Sequence, residues 1–352
     1  MALCRYAAFV KPRRLWLYTT TIFLLLVVIM IIDRKGFISL QVIIQGTLCF
    51  LKIRFPLKLE QMINSCRCPS CDDQNLLQTE LKIGPSSRLW DGLHLDQLES
   101  LQGHLTEGST KEGRNRKTKV GTAYHPSMNA TYRRMMKDLI VVFNDVAKKH
   151  NVTYFLYGGS LIGSYRHHGM IPWDDDVDIA VYEKHKPNLK VAFSSLSKTF
   201  KGIVTNYRWK LAYRHLPLIR KGISWSYPFL DISFFRLTSD KVSDADTPWA
   251  DRGFRYKICD VFPLVERPFW DLWLPAPRRT DAILKATYDL DMCVSSSYSH
   301  SLEIYLEQSF SVSCNTLREY YPFVVRRTVN GTVEAEQLML NNSFIQTVMV
   351  KK

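Results

Sequence analysis

A chain of 352 residues with 46% apolar and 23% charged residues can bury a real core, which excludes a polypeptide too polar to fold and leaves room for one catalytic-sized domain plus accessory segments. The formal net charge of +14 suits a nucleic-acid binder, a protein handling phosphorylated donors, or one lying near anionic lipid, so charge alone does not choose among them.

In chain order, residues 1–14 read as a short cytosolic tail carrying Arg5, Lys11, Arg13 and Arg14. Residues 15–32, LWLYTTTIFLLLVVIMII, are free of charge and long enough to span a bilayer as a transmembrane helix. No small-residue cleavage site follows in DRKG, so the run reads as an uncleaved signal anchor. The positive-inside rule, weakened by Arg34 and Lys35, then puts the short N-terminus in the cytosol and the body in the lumen, as in a single-pass type II protein. A second apolar stretch at 36–51 could re-enter or cross, but Gln41, Gln45 and two glycines make it a poorer span. Residues 33–125 form the membrane-proximal region and stem, polar from about 72 onward. Four sequons, at Asn129, Asn151, Asn330 and Asn341, agree with lumenal exposure and glycosylation. Cys66, Cys68, Cys71, Cys259, Cys293 and Cys314 are an even six that could form three disulfides; CRCPSC lacks the second ligand pair of a zinc site.

The body, residues 126–352, begins with a helix whose stripe is Tyr132, Met135, Leu139, Val142, Phe143 and Val146. There follow a strand at 152–157, a Gly158-Gly159-Ser160 turn, a short helix to about His167, a loop shaped by Pro172 and Trp173, and a strand from Asp176 to Tyr182. A long helix candidate at 183–200 and β-rich pieces over 202–236 complete an α/β or α+β pattern.

Side chains alternate along a strand, so Asp176 and Asp178 project from one face while Val177, Ile179 and Val181 enter the core. Two carboxylates about 4 Å apart repel by roughly 4 kcal/mol at an effective dielectric of 20. A divalent cation, Mg2+ or Mn2+, removes that penalty, which makes Asp176 and Asp178 the first-choice metal ligands. The Gly158-Gly159-Ser160 turn lets backbone approach a phosphate, with Arg166 and His168 as further phosphate partners. A third carboxylate is expected from a neighbouring strand: Asp231, isolated in the apolar PFLDISFF, with Asp260 as the competing choice.

At these residues the sequence resembles the LicD and fukutin family. The resemblance lies in GGSLIGSYRHHGMIPWDDDVDIAV, in PFLDISFF and in DVFPLVERPFWDLWLPAPRRTDAILKATYD, spanning roughly 130–325. It implies a nucleotidyltransferase-like mixed sheet flanked by helices, and a phosphotransferase moving an alcohol phosphate from a CDP-alcohol donor to a glycan or glycoprotein hydroxyl. It places metal binding on Asp176 and Asp178 and assigns the later-strand aspartate to Asp231, as metal ligand or base. No counterpart of the zinc-binding cysteine insertion of fukutin-related protein is present, so no oligomeric state carries over. A lumenal DxD glycosyltransferase using a nucleotide sugar and a non-catalytic Golgi partner protein are the alternatives. A nucleic-acid substrate would require a cytosolic body and is not expected.

Overall fold

The computed structural model describes residues 122–351 except 239, 247–252 and 332. The tail, both apolar runs, the stem and Cys4, Cys49, Cys66, Cys68 and Cys71 lie outside the described residues, and so do the topology and domain boundaries assigned to them. Among the described residues no helix is long and apolar enough to cross a membrane.

Helix α1 (Ala130–Lys149) opens on Asn129, whose side chain accepts from the Tyr132 amide at 2.8 Å, and ends with Lys148 and Lys149 in its last turn, matching the helix dipole at that end. Its buried face is Met136, Leu139, Ile140, Phe143 and Ala147, rotated from the predicted stripe; Leu139 and Phe143 are shared, whereas Tyr132 is exposed. The rotation arises because α1 lies against two layers at once, a second helix and the sheet.

The chain then enters β1 (Tyr154–Leu156), α2 (Gly158–His167) and β2 (Val177–Tyr182). The predicted long helix at 183–200 is shorter: a single 3-10 turn, Glu183–His185, precedes α3 (Lys186–Ser194). Pro187 sets this boundary, since proline is tolerated in the first helical turn and not in a helix interior. Strands β3 (Phe200–Ile203), β4 (Trp209–Tyr213), β5 (Phe229–Leu237), β6 (Lys241–Asp244) and β7 (Arg255–Lys257) follow.

These seven strands form one mixed sheet in the order β1-β2-β5-β4-β3, with β6 and β7 continuing from the far end of β5. Only β2 and β5 run parallel, and both are almost wholly buried, as a parallel pair requires. The register sets Asp178 opposite Asp231, and the antiparallel β4–β5 pairing sets Lys210 opposite Asp231. Three charged residues thus form one row across the sheet, on one face.

After the sheet come α4 (Ile258–Val261), the hairpin of β8 (Val265–Phe269) and β9 (Leu272–Ala276), and α5 (Thr280–Thr287). Strands β10 (Met292–Val294) and β13 (Ser311–Ser313) pair and enclose a second small hairpin, β11 (Tyr298–Ser299) with β12 (Ile304–Tyr305). Helix α6 (Cys314–Leu317) leads to a three-stranded antiparallel sheet of β14 (Phe323–Thr328), β15 (Val333–Leu340) and β16 (Ser343–Lys351). Cys293 is disulfide-bonded to Cys314, and Cys259 is disulfide-bonded as well. Trp173 is buried with Tyr124, Leu317, Tyr321 and Phe323, and its indole N–H donates to the Val294 carbonyl at 3.0 Å, so it packs the loop ahead of the aspartates.

The last sheet is locked to α2 by a buried polar network. Glu336, fully buried, accepts from Arg267 at 2.8 Å, from His168 Nε2 at 2.9 Å and from Arg326 Nε at 3.0 Å. Burial by itself would raise the Glu336 pKa; the two guanidiniums and the histidine overcome that and hold it far below the carboxylate range. Burial keeps His168 neutral, which fits an Nε2–H donated to Glu336 and an Nδ1 accepting from Gln346 at 3.0 Å.

Because the folded pKa of Glu336 lies below its unfolded value, its contribution is complete above the unfolded carboxylate pKa of about 4.3 and is lost as pH falls through the folded pKa. Glu336→Gln should destabilise the fold by about 3–5 kcal/mol at neutral pH, since the buried Arg267 loses its counter-charge and the half-buried Arg326 keeps only Glu334. Thermal melts from pH 7 to pH 3 should show the wild type losing stability below about pH 4 and the variant losing less over the same range.

Candidate functional site

At the N-terminal ends of the parallel strands, the loop 174–176 and the starts of β2 and β5 bring Asp176, Asp178 and Asp231 together, with one carboxylate oxygen from each within 4.8 Å of the others. Alternation accounts for the first two and strand register for the third. Asp260, the competing choice, sits on α4 and pairs with Arg279 at 3.0 Å, outside this cluster.

Lys210 reaches across from β4 and donates to Asp231 Oδ2 at 2.6 Å, while its ammonium lies over the ring of Phe229 at 4.7 Å. Asp231 Oδ1 is left buried and accepts no hydrogen bond. A carboxylate oxygen in that condition fits a cation better than it fits any neighbouring side chain. Three converging carboxylates, one of which carries an orphaned oxygen, meet the requirement of a hard divalent ion for oxygen ligands, so the residues present fit Mg2+ or Mn2+.

The glycine-serine turn does lie beside these carboxylates. Gly158 has φ +54°, and a Cβ there would come within 3.2 Å of Asp178 Oδ2; a Cβ on Gly159 would come within 2.9 Å of Asp174 Oδ2. The two glycines therefore allow α2 to start against the aspartates, where the positive end of its dipole opposes their charge. Ser160 Oγ accepts from the Asp178 amide at 2.7 Å, which ties the helix to β2. The predicted phosphate cradle is thus faced by carboxylates, and Ser160 holds the strand.

Arg166 and His168 are corrections to the expected site. The Arg166 guanidinium points at the Cys293–Cys314 disulfide, with Nη1 2.7 and 2.9 Å from the two sulfurs, and His168 is enclosed with Glu336 and Gln346. Ser160 and Arg166 are six residues apart, about 120° from each other around the helix, so they face different sides. His168 follows the helix end in a left-handed conformation, φ 53°, that turns it away.

Sequence reasoning missed His300, Arg208 and Lys210. His300, from the β11–β12 hairpin, sets Nδ1 2.9 Å from Asp175 Oδ1 and Nε2 3.3 Å from Asp176 Oδ2. Asp175 also accepts from the Ser301 amide at 3.0 Å, so it anchors the hairpin, and Asp175, Asp176 and His300 form a second convergent group. Arg208 Nη1 stands 3.5 Å from Asp178 Oδ1. Nothing near Asp176 in the sequence points to a histidine 124 positions away; Arg208 and Lys210 could have been noticed as two cations at strand spacing in RWK.

The electrostatics follow from this crowding. Burial, then Asp178, raises Asp176 well above the usual carboxylate range, with His300 opposing. Burial and Asp231 push Asp178 up to about 6 despite Arg208. Asp174 is raised by burial and by Asp175. Asp175 goes the other way: burial would raise it, but the hydrogen bond and charge of His300 bring it below its ordinary value. Burial would lower His300; Asp176 and Asp175 outweigh it and raise it to about 10.

The four sequon asparagines are all exposed. Asn129 caps α1 through its oxygen and Asn330 Oδ1 accepts from the Val333 amide at 2.8 Å, while Asn151 and Asn341 sit at positive φ in turns.

Asp178→Asn removes repulsion from a site already short of positive charge, so without metal the variant should melt at or slightly above the wild type. A ligating cation at 100 times its dissociation constant should stabilise the wild type by about 2.7 kcal/mol, and the variant much less. Melting with and without Mn2+ checks this, and equal shifts in the two proteins would remove Asp178 from the metal site.

Comparison with known proteins agrees with this geometry. Residues 151–279 match the profile described as LicD/FKTN/FKRP, nucleotidyltransferase domain. The lipopolysaccharide cholinephosphotransferase LicD of Haemophilus influenzae is 40% identical over 45 residues, 13% of this chain and 17% of that protein. The ribitol-5-phosphate transferase FKTN of Mus musculus is 26% identical over 159 residues, 45% of this chain and 33% of that protein. The chain thus spans a third or less of the length of these relatives. Among solved structures, a lincosamide antibiotic adenylyltransferase, LnuA, aligns at 19% identity over 47% of this chain and 90% of that one, with a TM-score of 0.30, a likeness too loose to speak to the fold. The matched segment contains the glycine-serine turn, all five clustered aspartates, Arg208 and Lys210, so the site described above lies within residues 151–279, the part of this chain that is similar to the LicD/FKTN/FKRP nucleotidyltransferase domain.

Proposed function

We propose that this protein is a divalent-cation-dependent phosphotransferase that moves an alcohol phosphate from a CDP-alcohol to a glycan hydroxyl. The observation that carries the reading is the convergence of Asp176, Asp178 and Asp231, with Asp231 Oδ1 buried and unpartnered, inside a domain whose relatives are named as a cholinephosphotransferase and a ribitol-5-phosphate transferase. Mg2+ or Mn2+ held by these three carboxylates would supply neutralisation of charge on the donor's phosphate oxygens.

The chain's own residues do the rest. Lys210 fixes Asp231 by one oxygen and leaves the other for the cation or for the acceptor's proton. The acceptor oxygen attacks the phosphorus bearing the alcohol, the bond from that phosphorus to the bridging oxygen breaks, and CMP departs with the bond pair. The hydroxyl proton passes to a carboxylate. Asp175 and the Ser301 amide hold the His300 hairpin beside this point, where it narrows access for water.

The apolar run at 15–32 and the exposed sequons support a type II protein of the Golgi or ER membrane with this site in the lumen. Expressed in cells, the full chain should lose apparent mass on N-glycanase treatment. An unshifted band, with protease digesting the body in intact microsomes, would place the site in the cytosol.

Purified in detergent with Mn2+, the full chain should release CMP from at least one of CDP-choline, CDP-ribitol, CDP-glycerol and CDP-ethanolamine. A matching acceptor glycan should increase release, because a positioned hydroxyl outcompetes water. UDP released from a nucleotide sugar would instead identify a glycosyltransferase, and pyrophosphate released from a triphosphate would identify nucleotidyl transfer.

A further inference from the structure

One border of the carboxylate cluster differs from the rest in charge. Where β4 brings Arg208 and Lys210, the stretch from 292 to 317 contains no lysine or arginine and carries Glu303 and Glu307. Within it the β11–β12 hairpin sets the His300 ring and the Ser301 amide against Asp175 and Asp176. Its other side chains face solvent: Leu302, Ile304 and Leu306 are exposed, and Tyr305 is 85% exposed. Large apolar side chains exposed singly are ordinary, but four within one short stretch at the border of a site mark a contact surface.

Tyr305 pairs with Tyr298 across the hairpin, so the two rings share a face, edge to face with centroids 5.0 Å apart. Tyr298 stands another 5.0 Å from the His300 ring, whose Nε2 is 3.3 Å from Asp176. Three rings thus run from solvent to the metal-binding carboxylates. Beside them Glu303 has φ 56°, a left-handed conformation that a residue with a side chain adopts where its surroundings impose it. Arg220 donates to its carbonyl at 3.0 Å, Trp225 Nε1 to Oε1 at 3.1 Å and the Tyr298 hydroxyl to Oε2 at 2.9 Å. The carboxylate is therefore fixed in place, and each of its oxygens can accept a further hydrogen bond.

On the phosphotransferase reading given above, the site must take an anionic donor and a hydroxyl-rich acceptor. A hairpin with two acids and no lysine or arginine repels a diphosphate and an anionic headgroup alike, and fits the uncharged partner. We propose that the β11–β12 hairpin is the acceptor subsite of this enzyme, where Tyr305 stacks on the apolar face of a sugar ring and the Glu303 carboxylate accepts from that sugar's hydroxyls. A pyranose presents C–H groups on a face and hydroxyls around its rim. A tyrosine ring meets the first with little loss of side-chain freedom, and a fixed carboxylate meets the second. The sugar held there is not the one that reacts. Two ring spacings of 5.0 Å separate Tyr305 from His300, so the accepting hydroxyl belongs to a neighbouring unit that reaches the carboxylates, and the acceptor is an oligosaccharide.

The test uses the full chain in detergent with Mn2+, as wild type, Tyr305→Ala, Tyr305→Phe and Glu303→Gln. Affinity for short neutral oligosaccharides of hexose and N-acetylhexosamine is read by saturation-transfer NMR, and CDP affinity by calorimetry. The wild type should bind at least one oligosaccharide, and its component monosaccharides more weakly. Tyr305→Ala should weaken that binding roughly five- to thirtyfold, Glu303→Gln about fivefold, and Tyr305→Phe, which keeps the ring, by less than about twofold. CDP affinity should be the same in all four proteins, which separates a subsite from a collapse of the whole site. An unchanged sugar affinity in Tyr305→Ala, an equal loss in Tyr305→Phe, monosaccharides bound as tightly, or no oligosaccharide bound by the wild type would each overturn the proposal. In nanodiscs with brominated acyl chains, Tyr305→Trp should be quenched no more than the wild type; extra quenching would assign the hairpin to the bilayer and overturn the acceptor subsite. Oligosaccharide binding through Tyr305 without CDP binding would keep the hairpin as a sugar site and overturn the phosphotransferase reading, whereas CDP binding and CMP release with no effect of these substitutions would overturn the subsite alone.

Discussion

Five carboxylates, Asp174, Asp175, Asp176, Asp178 and Asp231, crowd one end of the central sheet, and three of them have pKa values raised by burial and mutual repulsion. Negative charge in a poorly hydrated place is stable only when positive charge is delivered to it. Much of the architecture does this delivery. The parallel β2–β5 pair fixes Asp178 beside Asp231, β4 brings Lys210 into the same row, the helix α2 aims its N-terminus at Asp178 and Asp174, and a hairpin from the far part of the chain inserts His300. The glycines at 158 and 159 belong to the same arrangement, because any larger residue would push the helix end away from the charge it opposes.

The aspartates of the triad were legible in the sequence for a simple reason. Strand alternation has a period of two, so DDDVDIAV can place Asp176 and Asp178 only on one face, and an acidic residue within PFLDISFF has no inexpensive place in a core. What alternation cannot give is register between strands distant in sequence. The row Asp178, Asp231 and Lys210 exists only after β2, β5 and β4 have been aligned, and RWK carries no mark of which partner it will face.

The misreadings have equally local causes. Arg166 and His168 are near the glycine turn in sequence, but helical rotation carries the first to a different side, against the disulfide, and a left-handed residue carries the second into the Glu336 network. The stripe of α1 was displaced because a helix lying against both a sheet and another helix buries a wider arc than apolar spacing alone marks. The helix expected over 183–200 is shorter because Pro187 starts a new helix instead of continuing one. The β-rich pieces between 202 and 236 correspond to β3, β4 and β5, where apolar and aromatic residues favour strands.

The order in which the counter-charges occur along the chain also bears on biosynthesis. A ribosome releases the acidic run 174–178 first, Arg208 and Lys210 some thirty residues later, and His300 more than a hundred residues after the run, well beyond the matched segment 151–279. Until the β11–β12 hairpin emerges, Asp175 has neither the His300 ring nor the Ser301 amide to hold it, and Asp176 lacks the His300 nitrogen beside it. The nascent domain would therefore keep this end hydrated and open, and a premature stop anywhere before residue 300 would release a chain whose most acidic loop cannot be buried. Burial of the acidic loop therefore waits for a hairpin that lies beyond the matched segment and borders the clustered carboxylates.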